Sequence, residues 1–185
     1  MLGPPHSFTE PFGEAMPMSP SPHTPAQAAA ALYAMIPHAL SRATLEEYGI
    51  DATPEQAQQI TREVLSLSLF WVYSALQVTL SKTSKERVFG ELRQCIFKIW
   101  ESDLGQRGHD VQQYFEEMEG RRSAYDRVIQ EGGTPVMVFT ESASILESVG
   151  TVQPEDRQKI LALLIDLIPV DPIGEQVAEL DLTDT

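Results

Sequence analysis

Cysteine is nearly absent from this chain, since Cys95 is the only one in 185 residues. A single cysteine excludes a disulfide within the chain and any zinc or iron–sulfur site built from several of its cysteines. The lack of an internal disulfide is typical of a reducing compartment, so we expect a cytoplasmic protein. Cys95 falls on the apolar face of a predicted helix, which favours a small core residue over a reactive thiol.

Catalytic and cofactor motifs are also missing. The sequence contains no Walker loop and no Gly-x-Gly-x-x-Gly motif. Its four histidines are His6, His23, His38 and His109, and none belongs to a Glu-x-x-His or His-Glu-x-x-His pattern. This excludes the usual helical signatures of di-iron proteins and zinc proteases. We therefore expect no metal and no cofactor, and we do not expect an enzyme.

Long apolar runs are lacking too. The best membrane candidate, residues 64–81, has 18 uncharged residues, but six of them are Ser, Thr or Gln. That length is at the lower limit for a membrane-spanning helix, and the polar residues argue against one. The first 25 residues contain no Lys or Arg and no apolar run, so they do not resemble a signal peptide. We expect no membrane span.

Positive charge is scarce, with 13 basic residues against 27 acidic ones and a net charge of −14. From residue 132 onward ten acidic residues accompany only Arg157 and Lys159. A surface of this sign repels phosphate backbones, which disfavours direct nucleic-acid binding. Solubility alone would account for the acidity. The functional alternatives are a basic protein partner or mimicry of a nucleic acid.

Proline marks both an arm and several helix starts. More than half of the thirteen prolines lie within residues 1–25, which predicts a disordered arm. Four later pairs place proline where a helix would begin: Thr24-Pro25, Thr53-Pro54, Thr134-Pro135 and Gln153-Pro154. Proline suits the first helical position, and threonine before it can cap free N–H groups.

Between these signals the pattern predicts an all-α helical bundle of five to seven helices. The predicted helices span 26–48 with a bend at Pro37, 54–80, 84–101, 110–130, 135–149 and 154–168. Residues 136–139 alternatively read as a short strand, although no second strand-like run offers a partner. We divide the chain into an arm (1–25), a bundle (26–169) and an acidic amphipathic tail (170–185). The tail could form a short last helix or a docking peptide.

The helix predicted at 54–80 is the most apolar of the set. Its polar residues share one stripe: Gln59, Glu63, Ser66, Ser74, Gln77 and Ser81. Two apolar rows cover the rest of it: Leu65, Leu69, Val72, Leu76 and Leu80 in one, and Ile60, Leu67, Trp71 and Val78 in the other. A helix that is apolar over most of its circumference is normally surrounded by other helices.

Arg122 occupies an unusual place within the helix predicted at 110–130. It stands between Met118 and Tyr125 in the apolar stripe, with Arg121 at the edge. A buried guanidinium needs a carboxylate or several carbonyls. Arg121, Arg122 and Tyr125 are therefore candidates for a buried ion pair or for binding a ligand anion. For Arg122, an ion pair with Glu91 or Asp126 is one alternative, and a stem that extends to the surface is another.

Apolar side chains also appear where solvent is expected. Phe70 falls inside the polar stripe of its helix, and Phe97 points away from the apolar face of the next one. The helix predicted at 154–168 is apolar nearly all round, with Leu161, Ile165 and Ile168 among its residues. Another helix could cover these residues; alternatively, all five belong to a dimer or partner interface.

These patterns favour a non-catalytic interaction protein: an adaptor, a chaperone-like factor or an assembly subunit that binds a protein partner or a second copy through apolar and aromatic helix surfaces. The alternative is an acidic inhibitor or immunity-type protein that neutralises a basic partner. Glu116, Glu117 and Glu119 would then contribute the acidic cluster. A helical sensor or enzyme that binds a small anion at Arg122 is the third hypothesis.

Overall fold

The computed structural model describes residues 23–37 and 40–182, and they form an all-α bundle, as predicted. Its helices are α1 (Pro25–Met35), α2 (Arg42–Glu47), α3 (Pro54–Thr79), α4 (Lys82–Ile99), α5 (Val111–Gln130), α6 (Pro135–Ser148), α7 (Arg157–Leu167) and α8 (Val170–Ala178). A short 3-10 turn, Pro154–Asp156, precedes α7. The predicted proline-rich arm lies outside the described residues, except for its last three.

The threonine–proline pairs begin helices as predicted. Thr24 accepts a hydrogen bond from the backbone N–H of Gln27, whose side chain returns one to the cap. Thr53 and Gln56 repeat this capping box at the start of α3. Pro135 begins α6, although no side chain caps this helix start. Residues 136–139 lie within α6, so the alternative of a short strand there is wrong.

The helix count differs from the prediction at two places. The helix predicted at 26–48 is two helices, because α1 ends at Met35, ahead of Pro37, and α2 begins at Arg42. The segment predicted as a tail contains α8, which brings the count within the described residues to eight.

α3 lies at the centre and has core on two sides, as its apolar rows predict. One core cluster combines one side of α3 with α1, α4, α8 and the first half of α5. The other combines the opposite side of α3 with α2, α6, α7 and Tyr125 of α5. Trp71 packs against both clusters. None of the described helices is long and apolar enough to cross a membrane.

The polar stripe of α3 changes its surroundings along the helix. Glu63 and Ser66, in the first half, are buried. Gln77, near the end, is exposed, and Ser81 caps α4. The first half of the stripe therefore faces protein, and its polar groups need hydrogen-bond partners inside the bundle.

α8 is an integral part of the core. Its side chains Ile173 and Val177 are completely buried against α1 and α3. Just beyond it, the Asp181 carbonyl accepts a 2.6 Å hydrogen bond from the N–H of His23. Of the two alternatives for the C-terminal segment, the structure contains the short helix.

Candidate functional site

Phe70 does not belong to an exposed surface, because only 3% of it is accessible. Its ring lies edge-on to Trp71 and Tyr125, with centroids 5.1 and 5.2 Å apart. Of the two alternatives for Phe70, the structure contains cover by another helix, because Tyr125 of α5 packs against this part of the stripe on α3. Phe70 is a core residue.

The other predicted interface residues lie on separate surfaces. Phe97 is 58% exposed and lines two grooves, one beside α5 and one beside residues 98–102. Ile168 is buried and Leu161 packs on the same core cluster, whereas Ile165 is exposed on α7. Neither groove beside Phe97 includes an α7 residue, so these side chains do not form one continuous patch.

Arg121 and Tyr125 converge on Glu63, a carboxylate that the sequence reasoning placed only in a polar stripe. Glu63 is 2% exposed. The Nε of Arg121 donates to its Oε2 at 2.8 Å, and the hydroxyl of Tyr125 donates to its Oε1. Ser142, from α6, donates to the same Oε1 at 2.9 Å. Glu63 therefore joins α3, α5 and α6 through three donors.

Burial and charge both shift pKa values in this network, in the same direction for Tyr125 and in opposite directions for Arg121. Burial raises the pKa of the Tyr125 hydroxyl well above its ordinary value, and the adjacent Glu63 charge raises it further. Burial alone would lower the pKa of Arg121, but the charge and hydrogen bond of Glu63 outweigh it, so the pKa is raised. The network is an internal ion pair in which protein donors already satisfy the carboxylate.

Arg122 takes no part in that network. Its guanidinium forms a 2.5 Å ion pair with Glu119, rather than with Glu91 or Asp126, and lies 4.6 Å from the centre of the Tyr73 ring. Its Nε is buried and has no acceptor among the described residues. Because Glu119 already neutralises its charge, Arg122 is a weaker anion site than its place in the stripe indicated.

A groove elsewhere on the bundle combines apolar walls with acidic side chains. It lies between the second half of α3 and the start of α8 and has a volume of about 640 Å³. Its lining residues are Trp71, Ser74, Ala75, Val78, Thr79, Val170, Asp171, Gly174 and Glu175. Val78, in the last turn of α3, is 89% exposed.

A second hollow of about 290 Å³ continues this surface toward the end of α5. It shares Trp71, Ser74 and Val78 with the first and adds Asp126 and the exposed Ile129. We call the two together the Trp71 groove. Three helices far apart in sequence therefore build one apolar surface.

The charged residues of the Trp71 groove carry one sign. Asp126, Asp171 and Glu175 line it, and no lining residue is basic. The indole Nε1 of Trp71 is buried and has no acceptor among the described residues. The groove thus offers a ligand apolar contact and a negative potential.

The apolar pattern of the sequence includes residues of this groove, but it predicted that they belong to the core. Trp71 and Val78 belong to the second apolar row of their helix. Ile60 and Leu67 of that row are buried, whereas Val78, near the C-terminal end of α3, is exposed. The sequence shows only the periodicity of apolar residues. Periodicity does not show where a neighbouring helix ends and leaves part of α3 exposed.

No group of three His, Cys, Asp or Glu side chains able to hold a metal occurs in the described part of the chain. Comparisons of the chain with known protein families, with characterised proteins and with solved structures give no match. Function must therefore be argued from the surfaces themselves.

Proposed function

We propose that this chain is a non-catalytic interaction protein whose Trp71 groove binds a helical segment of a partner. The observation that supports this most strongly is the uncovered apolar surface at Trp71 and Val78. Burial of one valine contributes about 1.5–3 kcal/mol, and a tryptophan at the centre of an interface is a common anchor.

The lining residues also favour a particular chemistry in the partner. A groove between helices suits an amphipathic helix that inserts apolar side chains spaced three or four residues apart. Asp126, Asp171 and Glu175 would attract Lys or Arg at the edge of that helix. An adaptor, a chaperone-like factor or an assembly subunit would use such a groove.

The acidic-inhibitor hypothesis has weaker support from the surface of α5. Glu116 and Glu117 are exposed, but Glu117 accepts a hydrogen bond from Gln113 and Glu119 is paired with Arg122. An inhibitor held by charge would lose most of its affinity as salt rises, whereas the groove would lose only the part contributed by its three acidic residues. Ionic strength therefore separates the two hypotheses.

Photo-crosslinking in the native cell tests the proposed groove. A photoreactive residue in place of Val78 should crosslink to one discrete partner segment. The same residue in place of Val149, which is 56% exposed just after the end of α6, is the matched control. The crosslinked segment should carry apolar residues together with Lys or Arg, and adding Glu175→Lys should weaken the crosslink.

Two results would overturn the proposal. One is the absence of any crosslink at Val78 beyond that at Val149. The other is a crosslinked segment that is polar or acidic, since neither chemistry fits the lining of the groove.

A further inference from the structure

Basic charge is concentrated on one helix of this acidic chain. α4 contains five basic residues (Lys82, Lys85, Arg87, Arg93 and Lys98) and two acidic ones (Glu86 and Glu91), a net of 5 − 2 = +3. The whole chain has a net charge of −14. Two surfaces of opposite sign on one molecule can attract each other in neighbouring copies.

The outer face of α4 presents one exposed aromatic side chain among polar and basic ones. Phe97 protrudes between grooves of about 410 and 300 Å³. Arg93 lies one turn earlier with its guanidinium 4.4 Å from the centre of the Phe115 ring, and Lys98 follows Phe97. At Gly90, open space surrounds the position of an added Cβ, so backbone approaches the surface there. We call Gly90, Arg93, Gln94, Phe97 and Lys98 the α4 face.

The α4 face matches the Trp71 groove in charge and supplies one aromatic anchor. It is helical, it presents an aromatic side chain with Arg93 and Lys98 beside it, and it shares no residue with the groove. We propose that the occupant of the Trp71 groove is the α4 face of a second copy of this chain. This inference rests on the proposed function and names the partner.

The chain's own N-terminal segment fits the groove less well. Residues 1–24 contain no Lys or Arg and include Glu10 and Glu14. Such a segment would bring negative charge to Asp171 and Glu175. Charge complementarity therefore favours the α4 face.

The proposed contact joins two different surfaces. Each copy offers one groove and one α4 face, so copies add head to tail and either close into a ring or extend as an open chain. A variant that loses one surface keeps the other. This allows a test by complementation between two variants.

The test uses the full chain with Val78→Glu, which blocks the groove, and with Phe97→Glu, which blocks the α4 face. Both side chains are exposed, so both variants should fold, which circular dichroism can verify. Sedimentation velocity should find larger species for wild type at high concentration and a monomer for each variant alone. A mixture of the two should give a one-to-one dimer and nothing larger. Val149→Glu should sediment as wild type does.

Lys98→Glu supplies a second change on the α4 face, and we expect it to weaken self-association several-fold at low salt. A monomeric wild type, or a mixture of variants that stays monomeric, would overturn the inference. If wild type is monomeric while Val78 crosslinks to a different protein, the proposed function survives and only the identity of the partner is wrong. If Val78 crosslinks to nothing, both fail.

Discussion

At the scale of single residues, Glu63 is the most consequential position outside the groove. Glu63→Gln would leave the half-buried Arg121 guanidinium without its carboxylate. Breaking a buried ion pair from one side costs about 3–5 kcal/mol, so we expect a loss of that order in the free energy of unfolding. Urea denaturation measures it.

Glu119→Gln is the matched control, because Glu119 pairs with the neighbouring Arg122 near the surface. A partly exposed ion pair contributes about 0–1 kcal/mol. Equal losses for the two variants would show that the Glu63 network does not stabilise the fold.

Tyr125 makes the stability of the fold depend on alkaline pH. Its folded-state pKa is raised, first by burial and then by Glu63. The unfolded chain releases this proton near pH 10, as tyrosine ordinarily does, while the folded protein retains it. The folded state then binds more protons, so the contribution is present below about pH 10 and is lost as pH rises further.

Tyr125→Phe should therefore lower stability at neutral pH by about 1–3 kcal/mol, because Glu63 loses a donor. It should also flatten the fall in stability above about pH 10. Denaturant titrations at a series of pH values measure both effects. An unchanged alkaline slope would contradict the role assigned to this hydroxyl.

The arginine pair illustrates what could be predicted at this scale. A buried ion pair at the Arg121–Tyr125 segment was among the alternatives drawn from the sequence. Its partner, Glu63, was not, because it lies 58 residues away from Arg121 on another helix. A helical wheel gives the angle between Arg121 and Arg122, but which of them faces α3 depends on how the two helices cross.

At the scale of elements, the turn between α5 and α6 depends on Gly133. A Cβ at this position would lie 2.6 Å from both the carbonyl oxygen and the Cγ1 of Val128. The Val128 backbone would have to shift to accommodate so close a contact. We therefore expect Gly133→Ala to destabilise the fold by about 1–3 kcal/mol. Thermal unfolding would record a lower melting temperature.

Gly120→Ala is the control for this substitution. Gly120 lies inside α5, and nothing approaches within 4 Å of its Cβ position. Alanine should therefore stabilise the helix by about 0.5–1 kcal/mol. If both variants shifted in the same direction, the tight approach at Gly133 would not be a constraint.

Helix boundaries were more predictable than the roles of the helices. Proline after threonine marks the starts of α1, α3 and α6 by a local mechanism that needs no tertiary contact. α8 was left open as helix or docking peptide, because nine residues rarely form a stable helix without packing. The burial of Ile173 and Val177 stabilises it, and that depends on the surface offered by α3.

At the scale of the whole molecule, the sequence indicated an excess of apolar surface but not its location. The prediction placed that surface on Phe70, Phe97 and the helix now assigned as α7. The structure buries Phe70, leaves Phe97 exposed and opens a groove at Trp71 and Val78 instead. The groove exists because α5 and α8 leave the last turn of α3 uncovered, which no local pattern encodes.

The most direct test of the account is the pair of indole N–H resonances of Trp71 and Trp100 in a ¹⁵N spectrum. Trp100 is an internal control, since it is buried and its Nε1 donates to the His109 carbonyl at 2.7 Å. The protein should be titrated with whichever protein crosslinks at Val78; if that is a second copy, the labelled protein is the Phe97→Glu variant, which keeps its groove, and the titrant is the Val78→Glu variant. We predict that the Trp71 resonance shifts or broadens while that of Trp100 stays in place. A Trp71 resonance that does not move as the complex forms would contradict the assignment of this groove as the binding site.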